Sequence, residues 1–267
     1  MSVRALSTGP GQLAGRDLAT ARDALVDEGT LILRGAVDVT AVAAAGTAVV
    51  RDFCDLSLET LGRHGIRVGE RRYMVTPRFE PPFDRPELFA SPPLVGLARA
   101  LLGPAAVINS LAVVIALPGA PAQPVHVDHE PLFPRNGAAS MGAPTYALTA
   151  IVPLIDLCES SGSTEVWPRG GAPAGPDAGD ERLDTSTVLP LSAGDAAFID
   201  YRVYHRGTAN PGSVPRPILY IVYSRAWFRD ADNFDEMPPI RVSRTQLGRV
   251  PSEYRALFAT VAAGHLE

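Results

Sequence analysis

Apolar and polar positions follow two different periods along this chain. Asp17 to Asp27 repeats its apolar positions every three to four residues, which predicts an amphipathic helix, and Thr30-Leu-Ile-Leu-Arg34 then reads as a short strand. Val39 to Arg63 keeps helical spacing with few breakers and predicts one long helix packed on a sheet. Pro77, Pro81 and Pro82 make Arg71 to Arg85 an irregular loop, and Glu87 to Leu102 is a further helix stopped by Gly103-Pro104. From Val107 onward the pattern changes to short β-rich runs separated by turns. These are Val107 to Leu117, Pro124 to Asp128, Tyr146 to Ile155, Thr187 to Leu191, Ala196 to Asp200 and Pro217 to Trp227. Short strands at such spacing predict a barrel or a two-sheet jelly roll. The Gly/Ala/Pro-rich stretches 134–144 and 170–184 read as surface loops or lids, residues 1–15 as a loose arm, and Pro251 to Ala262 as a C-terminal helix.

His126-Val127-Asp128 carries the strongest chemical signal. In an extended strand, residues i and i+2 project to one side, so His126 and Asp128 can address one ion while Val127 turns away. His205 lies seventy-nine residues later (205 − 126) and must be delivered by a strand that the fold brings alongside. Two imidazoles and a carboxylate occupy one face of an octahedral metal and leave the other face open, the ligand set of non-haem Fe(II) oxygenases. Alternation sends His129 to the face opposite Asp128, where it is better suited to supporting the ligands by hydrogen bonds than to binding metal. Strict alternation likewise turns Gln123 away from His126.

Arg216 stands eleven positions after His205 (216 − 205). Its planar fork suits a co-substrate that chelates iron at one end and carries a carboxylate at the other, as 2-oxoglutarate does.

These residues sit within three segments: His126-Val-Asp128-His129-Glu-Pro-Leu-Phe133-Pro134, Gly162-Ser-Thr164-Glu-Val-Trp167-Pro168, and the run from His205 to Arg216. Together they resemble the phytanoyl-CoA dioxygenase family of Fe(II)/2-oxoglutarate oxygenases, over roughly residues 20–228. The middle segment departs from the family pattern, since Pro168 is followed by Arg169-Gly170-Gly171 and the family's closing histidine is missing. The resemblance implies a distorted double-stranded β-helix, a jelly-roll or cupin-like core whose outer face is covered by N-terminal helices. It further implies Fe(II) held by His126, Asp128 and His205, with 2-oxoglutarate bound by Arg216, the Thr164 hydroxyl as a candidate second contact, and O2 as oxidant. A small-molecule C–H bond would be hydroxylated, desaturated or cyclised. Related halogenases put a small residue where Asp128 stands, so halogenation is disfavoured here. Arg202, Tyr73, Arg72 and Asn109 are the candidate substrate contacts. Thr164 reads equally well as a turn hydroxyl, and Trp167 reads as core rather than site.

The length of 267 residues fits one domain, because a cut near the middle would split the ligand set. Hydrophobic residues make up 46% and charged residues 20%, enough for a sizeable core and too little charge for disorder. A net charge of −5 without a basic run excludes a nucleic-acid backbone as partner. Cys54 and Cys158 lack zinc spacing and fit reduced thiols, no apolar leader opens the chain, and the longest apolar stretch, Leu111 to Pro118, is too short for a bilayer. A cytoplasmic protein with a small-molecule substrate is therefore expected. Arginine supplies all of the 24 basic side chains and lysine none, as in GC-rich genomes, which points to bacterial secondary metabolism. Two alternatives remain: a cupin-like metal enzyme that does not use 2-oxoglutarate, and a catalytically silent barrel that binds metal or a small molecule.

Overall fold

The computed structural model describes residues 3–9, 11–133, 137–169, 186–230, 233 and 240–262. Eleven strands are present among them: β1 Ala5–Ser7, β2 Thr30–Arg34, β3 Gly65–Gly69, β4 Arg72–Val75, β5 Val107–Ala116, β6 Ala147–Pro153, β7 Thr164–Trp167, β8 Thr187–Val188, β9 Ala196–Asp200, β10 Tyr204–Gly207 and β11 Arg216–Ser224. The first five α-helices are α1 Gly15–Glu28, α2 Val39–Val49, α3 Leu58–His64, α4 Pro86–Phe89 and α5 Pro92–Leu102.

Eight strands form one large sheet in the order β1-β2-β9-β6-β11-β5-β4-β3, and a small sheet runs β10-β7-β8. Every pairing is antiparallel except that of β1 with β2. Strand alternation divides the large sheet's side chains. Leu148, Ala150, Val152, Phe198, Leu219, Ile221 and Tyr223 face α1, α2 and α5 and form the main core with Leu25, Val42, Leu94 and Leu97. Ile32, Ile151, Ala197, Ile199 and Ile218 face the small sheet and pack on Val166 and Leu189. This is the two-sheet architecture that the strand spacing predicts, with the N-terminal helices over one sheet of the double-stranded β-helix that the resemblance implies. The cavity described below lies on the inner face of the large sheet.

Several local expectations give way to tertiary context. The long helix from Val39 is interrupted by a π-turn, Val50–Cys54, and restarts after Ser57, whose hydroxyl accepts from the Thr60 amide. Ser91-Pro92-Pro93 divides the next helix, since proline starts α5 and cannot donate back into α4. The C-terminal segment is a 3-10 helix, Ser252–Phe258, before a last α-turn at Ala259–Ala262. The N-terminal arm contributes β1 to the sheet edge, and the proline-rich segment conceals β4, which pairs with β5. Pro124 to Asp128 forms no ladder; it makes one isolated bridge, His126 to His205. Part of the 134–144 loop is a helical turn, Gly137–Gly142. The whole of the 170–184 loop and the lid role given to it lie outside the described residues.

Candidate metal centre and cavity

Burial and backbone pairing bring His126, Asp128 and His205 together. His205 lies on β10 and is 4% exposed, while His126 and Asp128 come from the half-buried segment hydrogen-bonded beside it. The bridge is reciprocal: His126 N donates to His205 O at 3.0 Å, and His205 N to His126 O at 2.8 Å. Asp128 N then reaches Tyr201 O at 3.2 Å. One candidate ligand atom from each of the three residues lies within 4.8 Å of the others. This matches the two-imidazole, one-carboxylate facial set, and it arises without the regular strand that the i, i+2 spacing implied.

Hydrogen bonds orient the donors. His126 Nδ1 donates to Pro124 O at 2.9 Å and His205 Nδ1 to Val203 O at 3.0 Å. A carbonyl only accepts, so both Nδ1 atoms carry the proton and both Nε2 lone pairs remain for an ion. Thr149 Oγ1 donates to Asp128 Oδ2 at 2.7 Å, and His205 Nε2 approaches Asp128 Oδ1 at 3.3 Å. Burial opposes charging His205, but the Asp128 carboxylate outweighs it and holds the imidazole above its ordinary range. Burial likewise works against the Asp128 carboxylate, and the charge and hydrogen bond of His205 prevail to keep it low. Burial and the neighbouring His205 push His126 down. Thus the donor set fits a divalent transition metal, with negative charge and two bare imidazole nitrogens converging on one point.

The metal-ligand set lines a cavity of about 140 Å³, walled by Met74, Ser110, Ala112, Val114, Gln123, Thr149, Tyr201, Tyr220, Val222, Asp230 and Asn233 among others. One strand step beyond Met74 and Val114, the register aligns Arg72, Ala116 and Arg216 on three adjacent strands. Both guanidiniums are 1% exposed. Each donates from Nη2 to the same Thr208 carbonyl at 3.0 Å, and they otherwise contact only neutral groups: Pro121 O for Arg72, and Ser161 O, Ala209 O and the Thr208 hydroxyl for Arg216. Among the described residues neither has a carboxylate partner, and both Nε atoms lack any acceptor. Burial and the charge of Arg72 bring Arg216 down to about 10. Two glycines make room for the pair. A Cβ at Gly207 would lie 2.5 Å from Arg72 Nη1, and one at Gly162 (φ +69°) would collide with Arg216 Nη1. Thr164 begins β7 and its hydroxyl bonds the phenol of Tyr220, a cavity residue that nothing in its apolar surroundings singled out.

The other sequence candidates distribute unevenly. Arg72 comes to the site, but beside Arg216 and not at a substrate mouth. Tyr73, one position on, turns to the opposite face and is buried in the main core. Asn109 does not line the cavity: the β5–β11 register skips it at a bulge between Ile108 and Ser110, and its Nδ2 is buried without a partner. Arg202 is held away by Asp200, to which its Nε and Nη2 donate at 2.8 and 2.7 Å. Gln123, expected to face away, lines the cavity. Its amide joins Val68 O and the Gly207 N–H, possible because residues 123–128 do not follow strand alternation. His129 donates no ligand; its Nδ1 bonds Glu130 O and its ring packs on Phe228 at 5.2 Å. Trp167 is a fully buried core side chain. Asp230 and Asn233 were not legible as site residues, since their approach depends on how the chain returns after β11.

No family model matches the chain. Dioxygenase af480 of Aspergillus fumigatus is 25% identical over 161 residues, 60% of this chain and 50% of that protein, so the chain spans about half the length of the curated relative it matches. Among solved structures, the chain superposes on the non-heme alpha ketoglutarate dependent epimerase SnoN from nogalamycin biosynthesis with a TM-score of 0.60, at 20% identity and covering 84% of this chain and 90% of that one. The carbocyclase SnoK from the same biosynthesis gives 0.58, at 19% identity and with 87% and 95% covered. HygX from Streptomyces hygroscopicus, with nickel and 2-oxoglutarate bound, gives 0.57 at 12% identity, with 81% and 89% covered. The chain therefore has the fold of non-heme 2-oxoglutarate-dependent enzymes.

Proposed function

We propose that this protein is an Fe(II)- and 2-oxoglutarate-dependent oxygenase of the phytanoyl-CoA dioxygenase type, acting on a C–H bond of a small molecule in secondary metabolism. One observation carries the proposal: a two-histidine, one-carboxylate cluster lines a cavity, and a buried, uncompensated arginine pair stands on β4 and β11 one strand step beyond the cavity residues Met74 and Val114. His126, Asp128 and His205 would hold the metal. Arg216 would grip the distal carboxylate of 2-oxoglutarate, with Arg72 as a second cation and the Thr164–Tyr220 hydroxyl pair beside it. Iron with 2-oxoglutarate and O2 would supply the power to remove hydrogen from an unactivated C–H bond, yielding succinate and CO2.

The chain's own residues do the rest. Val114, Ala112, Met74 and Val222 give the cavity an apolar wall that excludes water, and Thr149 holds the Asp128 carboxylate in place. The relatives of known structure include an epimerase and a carbocyclase, so hydrogen removal here ends in hydroxylation or in one of these redox outcomes. Product mass separates them, since hydroxylation alone adds an oxygen atom. The uncompensated arginines favour this function over a cupin-like enzyme without 2-oxoglutarate, which has no use for a buried dication.

The test is an anaerobic titration of the metal-free protein with Fe(II) and then 2-oxoglutarate. A visible metal-to-ligand charge-transfer band, weakened in Arg216→Ala, is the expected result. Iron binding with no band would hand the lead to the cupin-like alternative.

A further inference from the structure

The two arginines without counter-charge lie outside the cavity lining, one strand step beyond Met74 and Val114, whereas the lining itself carries, besides the metal ligands, a further carboxylate, Asp230. This carboxylate lines the cavity yet is only 7% exposed. Its partners are all neutral: the Tyr201 hydroxyl donates to Oδ2 at 3.0 Å, and Asn233 donates its backbone N–H to Oδ1 at 3.1 Å and its side-chain amide to both oxygens at 3.1 and 3.0 Å. Among the described residues no arginine or histidine lies in ion-pair range of it. The Asn233 amide also donates to Asp128 O, so it ties Asp230 to the loop carrying the metal ligand.

The Tyr201 ring lines the cavity beside Asp230 and is backed by Phe228 at 5.9 Å and Tyr146 at 6.4 Å, which stand outside the lining. Tyr146 is occupied on its own account, since the Arg202 guanidinium lies 5.6 Å from its ring centroid. Burial and the charges of Asp128 and Asp230 hold Tyr201 in its protonated, donating form. A buried carboxylate beside a phenol ring in the cavity wall matches a protonated amine, which gains an ion pair and the ring contact together. It repels a carboxylate or phosphate. The cavity lining contains no arginine, so an acidic substrate would find no guanidinium along its wall.

We propose that Asp230 determines substrate specificity by receiving an ammonium group, so that the substrate is a small amine-bearing molecule and not an acid or an acyl thioester of a phosphorylated carrier. This rests on the oxygenase reading above, which assigns the arginine pair to 2-oxoglutarate.

The test uses the full chain loaded with Zn(II) and saturating 2-oxoglutarate, which occupies the arginines and permits no turnover. Benzylammonium, benzyl alcohol and benzoate are titrated by ligand-observed saturation-transfer NMR. Benzylammonium should bind at least about tenfold more tightly than benzyl alcohol, with benzoate weakest, as unpaired charge dictates. Asp230→Asn should weaken benzylammonium about tenfold and benzyl alcohol less than about threefold. Tyr201→Phe, which leaves the charge in place, should retain benzylammonium binding. Benzoate matching benzylammonium, benzylammonium failing to bind, or a folded Asp230→Asn protein with undiminished amine affinity would each overturn the proposal. The benzylammonium-to-benzoate order in the unsubstituted protein decides the matter even if Asp230→Asn does not fold. Titrations of Zn(II) and 2-oxoglutarate on the same samples separate the two readings: their failure removes the oxygenase assignment, whereas normal 2-oxoglutarate binding without amine selectivity removes only the role of Asp230.

Discussion

Two pairs of buried arginines in this protein differ in one respect, their counter-charge. Arg202 and Arg169 converge on Asp200, at 2.7 and 2.6 Å, and Arg202 further binds the carbonyls of Ser140 and Ala143. Their charge is answered within the protein, and they fasten β9 to α1 and to the 140–145 segment. Arg72 and Arg216 are more deeply buried than Arg169, yet they share the Thr208 carbonyl, repel each other and have no carboxylate partner among the described residues. Burying a guanidinium without a carboxylate is costly, which is why the second arrangement supports the proposed anion-binding role of Arg216. Counting counter-charges thus separates a scaffold arginine from a binding arginine where burial alone does not.

Substitution at each pair tests that contrast. Arg202→Ala strands Asp200 with half of its partners and should cost roughly 3 kcal/mol of folding stability, as broken buried ion pairs do, with 2-oxoglutarate affinity unchanged. Thermal unfolding and a 2-oxoglutarate titration on the same sample check both halves; lost co-substrate affinity in a stable protein would erase the contrast. Arg216→Ala should behave oppositely. Losing two charge-assisted hydrogen bonds corresponds to roughly a hundredfold weaker 2-oxoglutarate binding, with a smaller loss of stability than in Arg202→Ala. Arg72→Ala should weaken binding about tenfold, because it supplies a second charge rather than the main grip. An Arg72 variant with full affinity would reduce that side chain to a strut.

The smallest effect concerns pH and the metal end. His205 is raised above its ordinary value by Asp128, and a metal needs the neutral imidazole. Metal binding must therefore displace a proton below that raised value, and metal affinity should fall about tenfold per pH unit as pH drops through it. In the metal-free protein the sign reverses. The protonated His205–Asp128 contact stabilises the fold at pH below the unfolded histidine's value, and this contribution is lost as pH rises through the folded one. Melting temperatures with and without Ni(II), taken between pH 6 and 8.5, should converge toward the acid side. A metal-induced shift independent of pH would mean that His205 is not a ligand.

Much of this was written in short-range chemistry. His126 and Asp128 are two residues apart and His205 follows in an apolar-flanked run, so residue types and spacings pointed to the cluster that the fold brings together, and the same run carries Arg216, the proposed anion grip. The short β-rich runs from Val107 onward read as a barrel or two-sheet jelly roll, and the helical spacing before them as its helical cover. Other features required the fold. β5 is apolar on both faces, so nothing in Val107 to Ala116 tells Asn109 from Ser110 as the inward residue; the bulge opposite Val222 and Tyr223 decides it. Arg72 and Tyr73 sit in a proline-rich stretch that reads as loop, and only pairing with Ala116 and Ile115 sends one beside Arg216 and the other to the core. Asp230 is an ordinary polar residue past the last strand until Tyr201 and Asn233 bring it to the cavity. Residue identity and local period determine which chemistry a chain carries and which strands it forms. Charges compensate one another across tens to hundreds of residues, so which arginine is scaffold and which awaits a ligand is decided only when the sheets close.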